Sequence, residues 1–118
     1  MITRTWCGAT REEDADAYVA VLERTGVQEC RALPGNRGVL VLRRIVDGRC
    51  EFRFLSFWDS WDAVRSFAGP TPERAVFYPE DERFLIARDL HVDHFETPVL
   101  DLPAAAPSRD RHRGIGTA

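Results

Sequence analysis

The sequence predicts an α+β domain in which two helices cover one face of a single antiparallel sheet. Three observations carry this. Asp47-Gly48 separates two runs of alternating residues, Gly38 to Val46 and Arg49 to Trp58, which is the strongest short-range hairpin signal. In the second run Phe52, Phe54, Ser56 and Trp58 share one face by period-2 geometry. Immediately after it Ala63, Val64 and Phe67 form a helical stripe, so the chain changes from strand to helix around Asp59. Earlier, Ala15, Tyr18, Val19 and Leu22 repeat at i, i+3, i+4 and i+7, the signature of a first amphipathic helix.

Taken in order, Ile2 to Cys7 reads as the first strand, with Ile2, Arg4 and Trp6 on one face. Thr10 and Glu13 have capping-box spacing, which starts the first helix at about Arg11 and runs it to Arg24. Gly26 ends or interrupts that helix, and Val27 to Leu33 adds a further turn before the Pro34-Gly35 break. A two-residue hairpin loop puts Val39, Val41, Arg43 and Ile45 on the face of Cys50, Phe52, Phe54, Ser56 and Trp58. The opposite face then carries Leu40, Leu42, Arg44, Glu51, Arg53, Leu55 and Phe57. Asp59 is the expected N-cap of the second helix. Glu73 to Arg83 reads as irregular chain. Leu85 to Glu96 reads as one last strand, with Ile86, Leu90, Val92 and His94 on one side.

This order, β-α-β-β-α-β, is the ferredoxin-like arrangement. Two helices cover only one face of such a sheet, and the apolar residues on the other face need a partner. The economical partner is a second copy of the chain, so a homodimer is expected. The domain is assigned to residues 1–102. Residues 103–118, rich in Pro, Ala, Arg and Gly, are expected to be a disordered tail.

Composition excludes several function classes. A chain of 118 residues with net charge -3 and no basic stripe has little with which to hold a phosphate backbone, so nucleic acid is not expected as a partner. No apolar run reaches the ~20 residues that span a bilayer, and MITRTWCGATREED lacks the apolar segment of a signal peptide. A cytoplasmic protein without a membrane partner is expected. Cys7, Cys30 and Cys50 are odd in number and widely spaced, predicting free thiols and neither a disulfide framework nor a zinc site. All 16 basic residues are Arg, which rules out Schiff-base chemistry on a lysine of this chain.

The candidate site is the seam between sheet and helices. Trp58, Trp61 and Phe67 line that seam in the sequence pattern, and each alone is more often core than ligand contact. With Trp6, Phe77, Tyr78 and Phe84 they exceed what one helix–sheet layer needs, which points to a flat apolar pocket for an aromatic ligand. His91 and His94 fall on opposite faces of one strand and cannot chelate one metal between them, so no metal is expected. His94, beside Val92 and Leu90, is the candidate general base or hydrogen-bond donor, set against a satisfied strand-end histidine. Arg4 is the candidate holder of a phenolate or carboxylate, set against a salt bridge to a neighbouring strand.

Four segments, TRTWCGAT, RALPGNRGV, FWDSWDAVRSFAG and VDHFE, make Met1 to Glu96 resemble the antibiotic-biosynthesis-monooxygenase-like domains of the dimeric α+β barrel superfamily. The resemblance implies a ferredoxin-like fold paired into a dimeric barrel. It also implies a cofactor-independent oxygenase acting on an aromatic or polycyclic molecule, with no cofactor. The haem-degrading branch carries Asn, Trp and His at positions that here look like Thr5, Phe67 and Phe77, and the single Asn of the chain is Asn36. Haem oxidation is therefore not implied. A non-oxidative cyclase or isomerase on a similar substrate, and a non-catalytic dimeric binding module, remain alternatives.

Overall fold

The computed structural model describes residues 1–103. The expected tail therefore lies outside the described residues, apart from its first residue. The first strand is longer than predicted: β1 runs Ile2–Arg11, because Thr10 and Arg11 continue pairing with Cys50 and Arg49 of β3. Thr10 is thus a buried strand residue whose hydroxyl donates to the Arg11 carbonyl, and the predicted capping box does not form. Helical structure begins instead with a 3₁₀ turn at Glu12–Asp14. It continues as α1 (Ala15–Leu22), a π turn at Glu23–Val27 and α2 (Gln28–Ala32). Gly26 interrupts this helical run as a π turn and does not end it, and π turns of this kind gather at functional sites.

The hairpin is as predicted. β2 (Asn36–Val46) and β3 (Arg49–Trp58) pair with Val46 opposite Arg49, Val41 opposite Phe54 and Val39 opposite Ser56. Asp47 and Gly48 both have positive φ, as a two-residue turn requires. α3 (Trp61–Ala68) follows, but its N-cap is Ser60, whose hydroxyl accepts from the Ala63 amide at 3.2 Å. Asp59 sits one residue too early to cap and pairs with Arg37 at 3.0 Å. The expected single last strand is split in two. After the short α4 (Asp81–Phe84), β4 (Leu85–Arg88) and β5 (Asp93–Glu96) pair one after the other along the free edge of β1. The break breaks the alternation as well: Val92 is buried while Leu90, expected on the same face, is exposed.

Among the described residues the sheet has five strands in the order β2-β3-β1-β4, with β5 also on β1, and all pairs are antiparallel. This is the α+β, ferredoxin-like architecture. The helices cover the face bearing Ile2, Arg4, Trp6, Phe52, Phe54, Ser56 and Trp58. Two buried clusters form there: Ala15, Tyr18, Val21, Leu22, Cys50 and Phe52 under α1, and Ile2, Cys30, Trp58 and Val64 under α2 and α3. Each large side chain so buried contributes about 1.5–3 kcal/mol. Phe54 packs against both clusters, and the site lies beside it. Leu40, Leu42 and Phe95, on the other face, are each more than two-fifths exposed.

Candidate functional site

Register on the sheet decides what enters the seam. Arg4 pairs with Ser56 on one side and with His94 on the other, so these three side chains stand in a row on the helix-covered face. Trp6 lies opposite Phe54, one step along the same face. Above them the π turn brings in Gly26, whose added Cβ would stand 3.3 Å from the Phe54 ring, a tight contact that would oblige the ring to shift by a few tenths of an ångström. The segment from Gly69 to Glu80 contains neither helix nor strand, and it supplies the remaining wall through Val76 and Tyr78.

These elements enclose a cavity of about 50 Å³. Its apolar walls are Trp6, Leu22, Phe54, Phe67, Val76 and Val92, and its polar groups are Arg4, Ser56, Tyr18, Tyr78 and Asp81. Room for a water takes ~10–15 Å³, so this space holds a few waters and is far smaller than the ~300 Å³ at which drug-sized ligand sites begin. A larger hollow, about 460 Å³, lies on the open sheet face. Its Arg43, Arg44 and Arg88 are already paired with Asp16, Glu51 and Glu82, and it is wide to solvent.

Arg4 is the dominant charge of the seam. It is 4 % exposed, and among the described residues no carboxylate lies within ion-pairing distance of it. Its guanidinium donates to the carbonyls of Pro72 and Arg74, the latter at 2.8 Å, and lies over the Phe67 ring at 5.7 Å. Burial lowers its pKa to about 10, still well above neutrality, so the charge is retained. A guanidinium has no acceptor, so at 3.1 Å from Arg4 Nη1 the His94 Nε2 must accept, which puts the ring proton on Nδ1. Burial first, and the Arg4 charge second, hold the His94 pKa below its ordinary value. The imidazole is therefore neutral at pH 7 and its sheet-side nitrogen is occupied.

Asp81 is the opposite charge on the same cavity. It is buried, it accepts from the Tyr18 hydroxyl at 2.9 Å and from the Tyr78 amide at 2.8 Å, and it too has no ion-pair partner among the described residues. Burial, and next the Asp81 charge, push the Tyr18 hydroxyl well above the ordinary tyrosine range. The Tyr78 hydroxyl is raised as well, by burial and by its bond to Glu29 at 2.9 Å.

Of the residues singled out from the sequence, Arg4, Trp6, Phe67 and Tyr78 come together on the cavity wall. Trp58 stands behind it, fully buried, stacked on Phe67 at 5.9 Å and donating to Ser56 Oγ. Phe84 belongs to the α1 cluster against Tyr18. Phe77 supports Trp6 edge-on at 6.1 Å from outside. His94 is not on the wall; it lies between Arg4 and the exposed ring of Trp61, whose centroid is 4.9 Å away. Sequence reading missed Tyr18, Ser56 and Asp81. Tyr18 and Ser56 carry the right face in their periodicity, which by itself does not separate a cavity wall from core. Asp81 sits in the irregular stretch, where no period assigns a direction.

The cysteines are free thiols, with Cys30 and Cys50 buried and Cys30 pushed up to about 12, chiefly by burial, which makes it a poor nucleophile. Among the described residues no group of three His, Cys, Asp or Glu side chains is placed to hold a metal ion, and no helix is long and apolar enough to cross a membrane.

No family model and no curated protein sequence matches the chain. Solved structures do. A crystal structure from Bacillus cereus, named as a putative antibiotic biosynthesis monooxygenase, aligns with a TM-score of 0.59 at 16% identity, covering 89% of this chain and 98% of that one. Rv0793 from Mycobacterium tuberculosis aligns with a TM-score of 0.50 at 16% identity, covering 88% and 100%. At such identity the likeness speaks for the fold, over nearly the whole length of both partners. The chain has the ferredoxin-like fold of antibiotic-biosynthesis-monooxygenase-like domains.

Proposed function

We propose that the protein is a cofactor-independent oxygenase that holds an aromatic hydroxy compound in the seam, with Arg4 stabilising the anion that reacts with O2. The single observation supporting this is the Arg4 guanidinium, buried without a carboxylate partner on the wall of an otherwise aromatic cavity. A buried cation of this kind is costly unless something compensates it, and a ligand anion does so. In the reaction the substrate supplies all four electrons that O2 takes up: a ring CH2 loses its two hydrogens and gains one oxygen atom as a carbonyl, and the other oxygen atom leaves with those hydrogens as water. The protein's part is to stabilise the substrate anion and exclude solvent. In this reading the side chains of Val76 and Tyr78, which close the cavity, turn aside to admit the ring system, while the backbone groups that hold Arg4 and Asp81 stay in place.

The functional unit in this reading is a cytoplasmic homodimer, joined through the open sheet face with its exposed Leu40, Leu42 and Phe95. The cavity's small volume favours a second reading, a dimeric module without turnover whose aromatics serve as core. Titrating hydroxylated anthrones and naphthols separates the two. Oxygenase function predicts quenching of tryptophan fluorescence together with O2 uptake, both lost in Arg4→Met. No quenching by any of these compounds sinks the pocket, and quenching without O2 uptake selects the binding module.

A further inference from the structure

The cavity holds one buried cation and one buried anion that do not pair with each other. Arg4 enters from β1, held by two carbonyls, while Asp81 enters from α4, held by the Tyr18 hydroxyl and the Tyr78 amide. Both line the same space, yet no ion pair joins them. If these charges served stability alone, contact would offset part of the desolvation each has suffered, and here they stay apart. A cavity lined by a buried guanidinium and a buried carboxylate that do not pair fits a conjugated molecule that loses a proton at one end and gathers the resulting charge at the other.

We propose that Asp81, backed by Tyr18, is the proton acceptor of this site, and that its ligand is a conjugated hydroxyaryl compound lying between Asp81 and Arg4. The proton moves from the ligand's acidic O–H or C–H to an Asp81 carboxylate oxygen, and the electron pair left behind delocalises to an oxygen beside Arg4. This rests on the aromatic-site reading above and moves the base from His94 to Asp81. His94 cannot serve from its place: its Nε2 is engaged by Arg4 and it is off the cavity wall. Asp81 has the reach, since each of its oxygens has one donor and a carboxylate oxygen takes two. The charged or titratable groups about Asp81 and Arg4 are Tyr18 on α1, Glu29 and Cys30 on α2, Tyr78 just before α4, Arg88 on β4 and His94 on β5.

The probe is 4-nitrophenol, which has an acidic hydroxyl at one end and a nitro group that takes up charge at the other. Calorimetric titration in buffers of different ionisation heat, at a pH where the free probe is ionised, counts protons exchanged on binding. The full chain is expected to take up close to one proton per probe bound, because phenolate and Asp81 carboxylate share one. Asp81→Asn is expected to bind the phenolate about tenfold more tightly, having lost the repelling charge, and to take up none. Equal proton uptake in Asp81→Asn and the native chain would overturn the assignment of Asp81 while leaving the aromatic site standing. No binding of the probe by the native chain would bring down the aromatic site and this proposal with it. Should Asp81→Asn fail to fold by circular dichroism, Tyr18→Phe decides. A carboxylate that loses a hydroxyl donor holds a proton more firmly, so proton uptake is expected to persist to higher pH than in the native chain, and an unchanged profile overturns the proposal.

Discussion

Arg4 and His94 occupy paired positions on β1 and β5, and the guanidinium donates to the imidazole Nε2 at 3.1 Å. The pair turns the one histidine on the helix-covered face of β5 into an acceptor that positions a buried cation. It also makes the protonated imidazole unwelcome, since protonation would set two donors and two positive charges against each other.

The first prediction follows from that relationship. The folded protein holds His94 below its ordinary pKa, so just below about pH 6.5 the unfolded chain binds the proton and the folded chain does not. The stability owed to neutral His94 is therefore complete above that pH and is lost as pH falls toward the folded pKa. His94→Gln keeps an acceptor for Arg4 and removes the titration. Urea unfolding at a series of pH values between about 7 and 5 should give a shallower loss of stability for the variant. Parallel curves would mean that His94 contributes nothing to the pH dependence.

Arg4→Met should remove the donors that hold the Pro72 and Arg74 carbonyls and the His94 ring. Buried acceptors left without donors cost about 1–3 kcal/mol each, offset in part by the relief of desolvating a charge, so a net loss of roughly 2–3 kcal/mol is expected. The same change frees one wall of the cavity. Limited proteolysis should then cut between residues 70 and 80 faster than in the native chain, and an unchanged digestion pattern would show that other contacts hold the segment.

Cap assignment is tested by two neighbouring substitutions. Ser60→Ala removes the acceptor for the Ala63 amide and should destabilise by about 0.5–2 kcal/mol. Asp59→Ala removes only the exposed pair with Arg37, worth about 0–1 kcal/mol. Thermal melts showing Asp59→Ala to be the more damaging would restore the cap to Asp59.

Gly35 has φ of 85° and a Cβ there would stand 2.6 Å from the Ala63 Cβ, while its carbonyl accepts from the Asp59 amide at 2.8 Å. Gly35→Ala thus meets both a left-handed backbone and the base of α3, and a loss of roughly 2–4 kcal/mol is expected. A native-like melting temperature for this variant would contradict the close approach of the two turns.

The proposed dimer is checked by sedimentation at micromolar concentration, where the native chain should have twice the chain mass. Leu40→Arg places a charge on the uncovered face and should give a monomer that retains its circular dichroism spectrum. A native chain that sediments as a monomer would remove the interface.

The sequence by itself determined the sheet's central register and its two faces. Asp47-Gly48 admits one tight turn, and with period 2 that turn assigns every residue from Val39 to Trp58 to a face. The strand-to-helix switch after Trp58, and the helix begun near Ala15, were legible for the same reason: local pattern and local geometry agree there. Element ends were less so, because pairing with a distant strand drew Thr10 into β1, and cap geometry chose Ser60 over its neighbour. Only the tertiary structure decided the site. The split of the last strand at Asp89–Val92 turns Val92 inward, and the irregular chain before it sets Asp81 beside Tyr18 across 63 residues of sequence. No periodicity runs through such a stretch, so its course is set by hydrogen bonds, from Arg4 to the Pro72 and Arg74 carbonyls and from the Tyr18 hydroxyl to Asp81. Those bonds exist only once sheet and helices have closed on each other.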